Sequence, residues 1–211
     1  MYQEISGISK SFDSNTLYTN LTIRLTANTF NILVGRNAVG KTTLLKIISG
    51  KLNSDTIMSN PFKKIMFFDS TFNFIPYISG VNNIKFFLSS INIKISKHEI
   101  YSIANYLGLN KEDMDNLLYN YSLGMKEKLQ CLLIYFSEGF DLVLLDEPFS
   151  SLDKYSFTSV MELFNQCNKT FLITTHMEEI IRPINSICKN NLIVLNNKGE
   201  ITYEPFEEYI K

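Results

Sequence analysis

Phe30-Asn31-Ile32-Leu33-Val34-Gly35-Arg36-Asn37-Ala38-Val39-Gly40-Lys41-Thr42-Thr43 is the stretch whose reading settles the fold. It opens as a short apolar run that stops at glycine, and a helical pattern follows from Lys41 to about Ser49. The local order is therefore strand, loop, helix. Within it, Gly35 to Thr42 matches G-x-x-x-x-G-K-[ST], the pattern of a loop whose backbone N–H groups surround phosphate oxygens. Its glycines let the backbone turn and approach an anion closely. Lys41 neutralises phosphate charge, the helix N-terminus adds its dipole, and the Thr42 hydroxyl is placed to ligate Mg²⁺. Gly35, Arg36, Asn37, Ala38, Val39, Gly40, Lys41, Thr42 and Thr43 form the expected nucleotide-binding set. The alternative is a chance match in a glycine turn, which a chain of this length meets about one time in a hundred or less.

Working outward, the first thirty-five residues read as short alternating strands over roughly 2–8, 17–25 and 29–34, with Asp13, Ser14 and Asn15 as a turn. That is antiparallel material. A further strand is expected from Lys64 to Phe68, then a helical region from Val81 to Tyr119, broken near Gly108 and Asn110. Gly124 to Ser137 reads as another helix. Asp141 to Leu145 reads as a buried strand with almost no polar alternation, the mark of a parallel sheet covered on both faces. A helix at about 153–167 and a strand from Thr170 to Thr174 complete a βαβ unit, and Leu192 to Tyr203 reads as a hairpin turning at Lys198 and Gly199. The expected fold is α/β: a P-loop core with a mostly parallel sheet, an N-terminal antiparallel β subdomain, and a helical subdomain inserted at roughly 76–137. Residues 1–211 read as a single domain.

Composition narrows the function. The 211 residues carry 20 Lys and Arg against 21 Asp and Glu, so no overall field draws the chain to nucleic acid or anionic lipid. No nucleic-acid partner is expected. The three cysteines, Cys131, Cys167 and Cys188, lack metal-ligand spacing and fit a reducing compartment. The opening MYQEISGISK has no cationic region leading into an apolar run, and no segment reaches the ~18 consecutive apolar residues of a membrane span. A cytoplasmic chain is expected, peripheral on the inner face of the cell membrane through a partner.

The run Asp141-Leu142-Val143-Leu144-Leu145-Asp146-Glu147-Pro148 delivers two adjacent acids at the C-terminal end of a buried strand, where α/β proteins bind ligands. Asp146 is expected to hold Mg²⁺ and Glu147 to orient and deprotonate the attacking water, since in-line attack on phosphorus needs both. The bland alternative is a pair of solvated acids at a turn.

Together these motifs resemble the ATP-binding cassette family along nearly the whole chain, in a form similar to the ABC-2-type, drug and lantibiotic exporter ATPases. Tyr121-Ser122-Leu123-Gly124-Met125-Lys126 looks like the family's signature motif, with Leu123 and Met125 replacing the commoner glycine and glutamine. The resemblance implies that Ser122 and Gly124 contact the γ-phosphate of ATP bound by a second subunit. Ser151-Leu152-Asp153 looks like the D-loop, and Thr174-Thr175-His176 like the switch-histidine segment, which assigns His176 a γ-phosphate contact. Phe12 falls where the family stacks an aromatic ring on adenine. Ser70 stands where a metal-ligating glutamine is usual, with Asp69 beside it, so either Asp69 takes over that contact or the coupling differs.

The implied function is an ATP-binding and ATP-hydrolysing subunit that energises a membrane transporter, an exporter by its signature form, with ATP and Mg²⁺ as cofactors. The implied partners are a separate transmembrane permease and a second nucleotide-binding subunit, as homodimer or heterodimer. Phe72, Phe74 and Tyr77 are the expected permease-docking residues, while Phe67, Phe68 and part of Phe86 and Phe87 are expected in the core. A soluble cassette ATPase without a transport role and a catalytically weak regulatory module remain as alternatives.

Overall fold

The computed structural model describes residues 1–69, 72–175, 184 and 190–205. Contacts divide the chain into two compact units: Met1–Ser70 with Phe140–Pro148 and Asn168–Lys211, and Thr71–Gly139 with Phe149–Cys167.

In the first unit, β1 (Tyr2–Phe12) and β2 (Asn15–Thr26) form an antiparallel pair. The pair is not a regular ribbon. Two of its three register shifts fall where Gly7 and Asn20 adopt positive φ, 78° and 50°. Each inserts one extra residue and changes which side chains face inward. On β2 the inward set runs Leu25, Ile23, Leu21, and the shift at Asn20 then turns Tyr18 rather than Thr19 into the core.

A six-stranded sheet follows the order β4-β5-β6-β3-β7-β8, built from β3 (Phe30–Val34), β4 (Ile65–Phe68), β5 (Leu142–Asp146), β6 (Thr170–Thr174), β7 (Asn190–Leu195) and β8 (Ile201–Glu204). All neighbours are parallel except the closing β7–β8 hairpin. Every residue of β3 and β6 is buried, as expected for continuous apolar strands. Helix α1 (Lys41–Ile48) puts Leu44, Leu45, Ile47 and Ile48 into one core with Ile5, Ile23, Leu144 and Ile193. Because β3, β5 and β6 run parallel, their C-terminal ends bring the phosphate loop, Asp146 and Thr174 to one edge, with Asp146 paired in register with Thr174.

The second unit is helical: α2 (Gly80–Ser90), α3 (Lys97–Tyr106), α4 (Lys111–Asp115), a 3₁₀ turn at Leu118–Asn120, α5 (Leu123–Phe136) and α6 (Lys154–Asn165). Its helix starts are capped by side chains: Ser79, Ser96, Asn110, Ser122 and Asp153 each accept a backbone N–H of the first turn. Helix α6 belongs to this unit, although in sequence it links two strands of the first. The aromatic expectations are corrected in part. Phe74 is buried, 9% exposed, in edge-to-face contact with Phe72 and Phe87, whereas Phe86 is 54% exposed. Phe74 is therefore a core residue and Phe86 a surface one, while Tyr77 stands 77% exposed as a loop aromatic. No helix among the described residues is long and apolar enough to cross a membrane.

Candidate functional site

The phosphate loop ends at Gly40, which precedes α1 with φ 110°. A side chain is strained at that angle, and a methyl group there would also overlap the Tyr18 hydroxyl. Ala38 is left-handed as well, at φ 62°. Lys41 folds over the loop, its ammonium donating to the carbonyls of Gly35 at 2.8 Å and Arg36 at 3.2 Å. A cavity of about 430 Å³, within the size range of small-molecule sites, is lined by Asn37, Ala38 and Gly40 to Thr43, together with Phe12, Leu17 and Glu147. Phe12 is half-exposed at the end of β1, offering a ring face on which a base can stack. Of the other members of the expected set, Val39 is buried in the core, and Gly35 and Arg36, besides accepting Lys41, line a second cavity of about 420 Å³ with residues 194–198.

The two acids are held differently. Asp146 accepts the Thr42 hydroxyl at 2.8 Å on one oxygen and the Thr174 hydroxyl at 2.7 Å on the other. Glu147 has a left-handed backbone, φ 51°, fixed by its N–H donating to the Thr174 hydroxyl at 3.0 Å and to the Thr174 carbonyl at 3.2 Å. A non-glycine residue in that region carries strain that the surrounding bonds must hold, a pattern common at functional sites. Thr174, fully buried, thus orients both acids. Sequence reasoning quoted Thr174 but gave it no role. Its signal was available: a hydroxyl at the last position of an apolar strand parallel to the one ending in Asp146. The adjacent oxygens of Thr42 and Asp146 are a hard donor pair suited to Mg²⁺, which takes a few protein oxygens and completes its shell with phosphates and water.

In the second unit, Ser122 is the N-cap of α5, its hydroxyl accepting the Met125 N–H at 3.2 Å. Gly124 approaches the Ser151 carbonyl so closely that a Cβ would sit 2.8 Å from it. Glu127, one turn further along α5, accepts the Ser150 hydroxyl at 3.2 Å and the Ser151 N–H at 3.0 Å. Signature segment and D-loop segment are thereby tied together, a link absent from the sequence reading because it joins residues 24 apart through backbone groups.

His176 and Ser70 lie outside the described residues. The Asp69 side chain, 4% exposed, pairs with Lys51 at 3.5 Å, and the Lys51 ammonium sits 4.6 Å from the Phe67 ring centre. Among the described residues no group of three or more His, Cys, Asp or Glu forms a metal cluster.

Comparison with known proteins bears on the family and the fold. The chain is 27% identical to the ABC transporter ATP-binding protein YdbJ of Bacillus subtilis, over 95% of its own length and 68% of the relative's. It is 28% identical to the zinc import ATP-binding protein ZnuC of Rickettsia conorii, over 94% and 83%. Its fold matches the dimeric, post-hydrolysis cassette MJ0796 bound to ADP and Pi with a TM-score of 0.75, at 19% identity over 98% of this chain and 99% of that one. The pattern of the family described as ABC transporter matches residues 18–150, well over half of the sequence. The chain therefore belongs to the ABC transporter family, as one of its ATP-binding cassette ATPases.

Proposed function

We propose that this chain is the ATP-hydrolysing subunit of a membrane exporter, working as a head-to-tail dimer beneath a separate permease. The observation that carries the reading is the Thr42–Asp146 hydrogen bond of 2.8 Å, with Glu147 on the same cavity as Lys41. Those groups are what phosphoryl transfer to water requires: a cation for the phosphates, oxygens for the metal and a carboxylate for the nucleophile. The loop N–H groups and Lys41 hold the phosphates, and Phe12 stacks on adenine. Thr42 and Asp146 would hold Mg²⁺, which would supply neutralisation of phosphate charge. Glu147 accepts a proton from the attacking water, and His176 contacts the γ-phosphate. Ser122 and Gly124 act on ATP held by the second subunit, so each site is completed in the dimer.

The family match and the transport roles named for both relatives support a transport function over a soluble cassette. Leu123 and Met125 motivate export, and the similarity to a zinc import protein motivates the opposite direction. Transport of substrate by the permease complex in inside-out and right-side-out vesicles separates the two. The basic reading is tested on the purified chain: Mg²⁺-dependent release of phosphate from ATP is expected in wild type and absent in Lys41→Ala, which loses ATP binding. Equal ATP binding by the two proteins would remove Lys41 from its role.

A further inference from the structure

We infer that Tyr18 is a positioning residue for nucleotide phosphate, acting through the peptide that joins Gly40 to Lys41. Tyr18 is 1% exposed, and its hydroxyl donates to the Gly40 carbonyl at 2.6 Å. The same carbonyl accepts the Leu44 N–H at 2.9 Å, so two donors fix the plane of that peptide. In a planar trans peptide the N–H points opposite to the C=O. Fixing the Gly40 carbonyl toward Tyr18 therefore aims the Lys41 N–H, the first free donor of α1, away from the helix and toward whatever anion the loop holds. A donor on the carbonyl also polarises the amide, which makes that N–H a stronger donor in turn.

Three features of the chain serve this contact. The register shift at Asn20, whose N–H donates to the Ser9 hydroxyl at 3.0 Å, is what turns Tyr18 inward. The turn of the β7–β8 hairpin backs it, because a Cβ at Gly199 would overlap the Leu17 carbonyl oxygen and come within 3.3 Å of the Tyr18 ring. Gly40 leaves the space that the hydroxyl fills. Burial pushes the Tyr18 hydroxyl well above the usual phenol range, so it stays a proton donor at every working pH. A ring serving only as core would need none of this, since phenylalanine fills the same volume.

The inference rests on the proposed ATP site, and the test separates the two. Full-length wild type and Tyr18→Phe are compared by the ATP dissociation constant, the shift of the Lys41 amide proton on titration with Mg-ATP, and the melting temperature without nucleotide. Loss of one hydrogen bond predicts a dissociation constant raised about three- to ten-fold, a smaller displacement of the Lys41 amide proton, and a melting temperature lowered by no more than about 2–4 °C. Equal affinity would overturn the inference alone. So would weaker affinity with an unchanged amide displacement, which marks general loosening. Failure of wild type to bind ATP would overturn the functional reading and the inference with it.

Discussion

Asp146 does not stand as an isolated carboxylate at a strand end. Thr42 and Thr174 donate to its two oxygens, and Thr174 also accepts the Glu147 N–H. One buried hydroxyl therefore couples the acid proposed to hold the metal to the acid proposed to act on water. Thr174→Val keeps the shape and removes the hydroxyl, leaving one Asp146 oxygen without its donor and the Glu147 N–H with only the Thr174 carbonyl. The expected outcome is an ATPase with turnover reduced about ten-fold or more and a raised Mg²⁺ requirement, since a buried hydrogen bond to a charged group is worth about 1.5–3 kcal/mol. Titration of activity against Mg²⁺ checks it, and an unchanged Mg²⁺ midpoint would deny Thr174 this role. The phosphate loop and the acid pair were legible in the sequence because each is contiguous and chemically distinctive. Thr174 and Tyr18 were not, because their roles depend on strand register and on a bulge.

At the scale of elements, the boundaries of β3, α1 and β6 follow from unbroken apolar runs and from Gly35 and Gly40. Gly108 and Asn110 mark the expected break in the helical region, yet the structure adds an earlier one, with α2 ending at Ser90 and α3 starting at Lys97. The missed signal is Ser96-Lys97-His98-Glu99, a capping box in which the Ser96 side chain accepts the Glu99 N–H and Glu99 returns to the Ser96 N–H. Asp153 caps α6 without that return bond, accepting the Ser156 N–H at 3.0 Å and hydroxyl at 2.8 Å. Those bonds, the Ser156 N–H foremost, hold its carboxyl below the usual range. A depressed folded pKa means that the stabilisation is complete above the unfolded value near 3.9 and is lost as pH falls through the folded value. Asp153→Ala is expected to cost about 1 kcal/mol at neutral pH, about 2–4 °C in melting temperature for a chain of this size. The gap from wild type should close in strong acid. A gap that persists there would assign the loss to something other than the charged cap.

For the whole molecule, the phosphate loop and acids belong to one compact unit and the signature serine to the other. The proposed half-site arrangement asks a second subunit to complete each site. Ser122→Arg is then expected to leave ATP affinity close to wild type while blocking dimerisation, since Ser122 lies outside the unit that holds the loop. Lys41→Ala, by contrast, loses both. Retention of dimerisation in Ser122→Arg would contradict that half of the account. The most direct measurement is the molecular mass in solution of Glu147→Gln with Mg-ATP. Removing the base slows hydrolysis by about a hundred-fold or more, so this variant is expected to accumulate as an ATP-loaded dimer, while wild type with ATP passes through it. A Glu147→Gln protein that stays monomeric with ATP, or that hydrolyses ATP at the wild-type rate, would contradict the central claim.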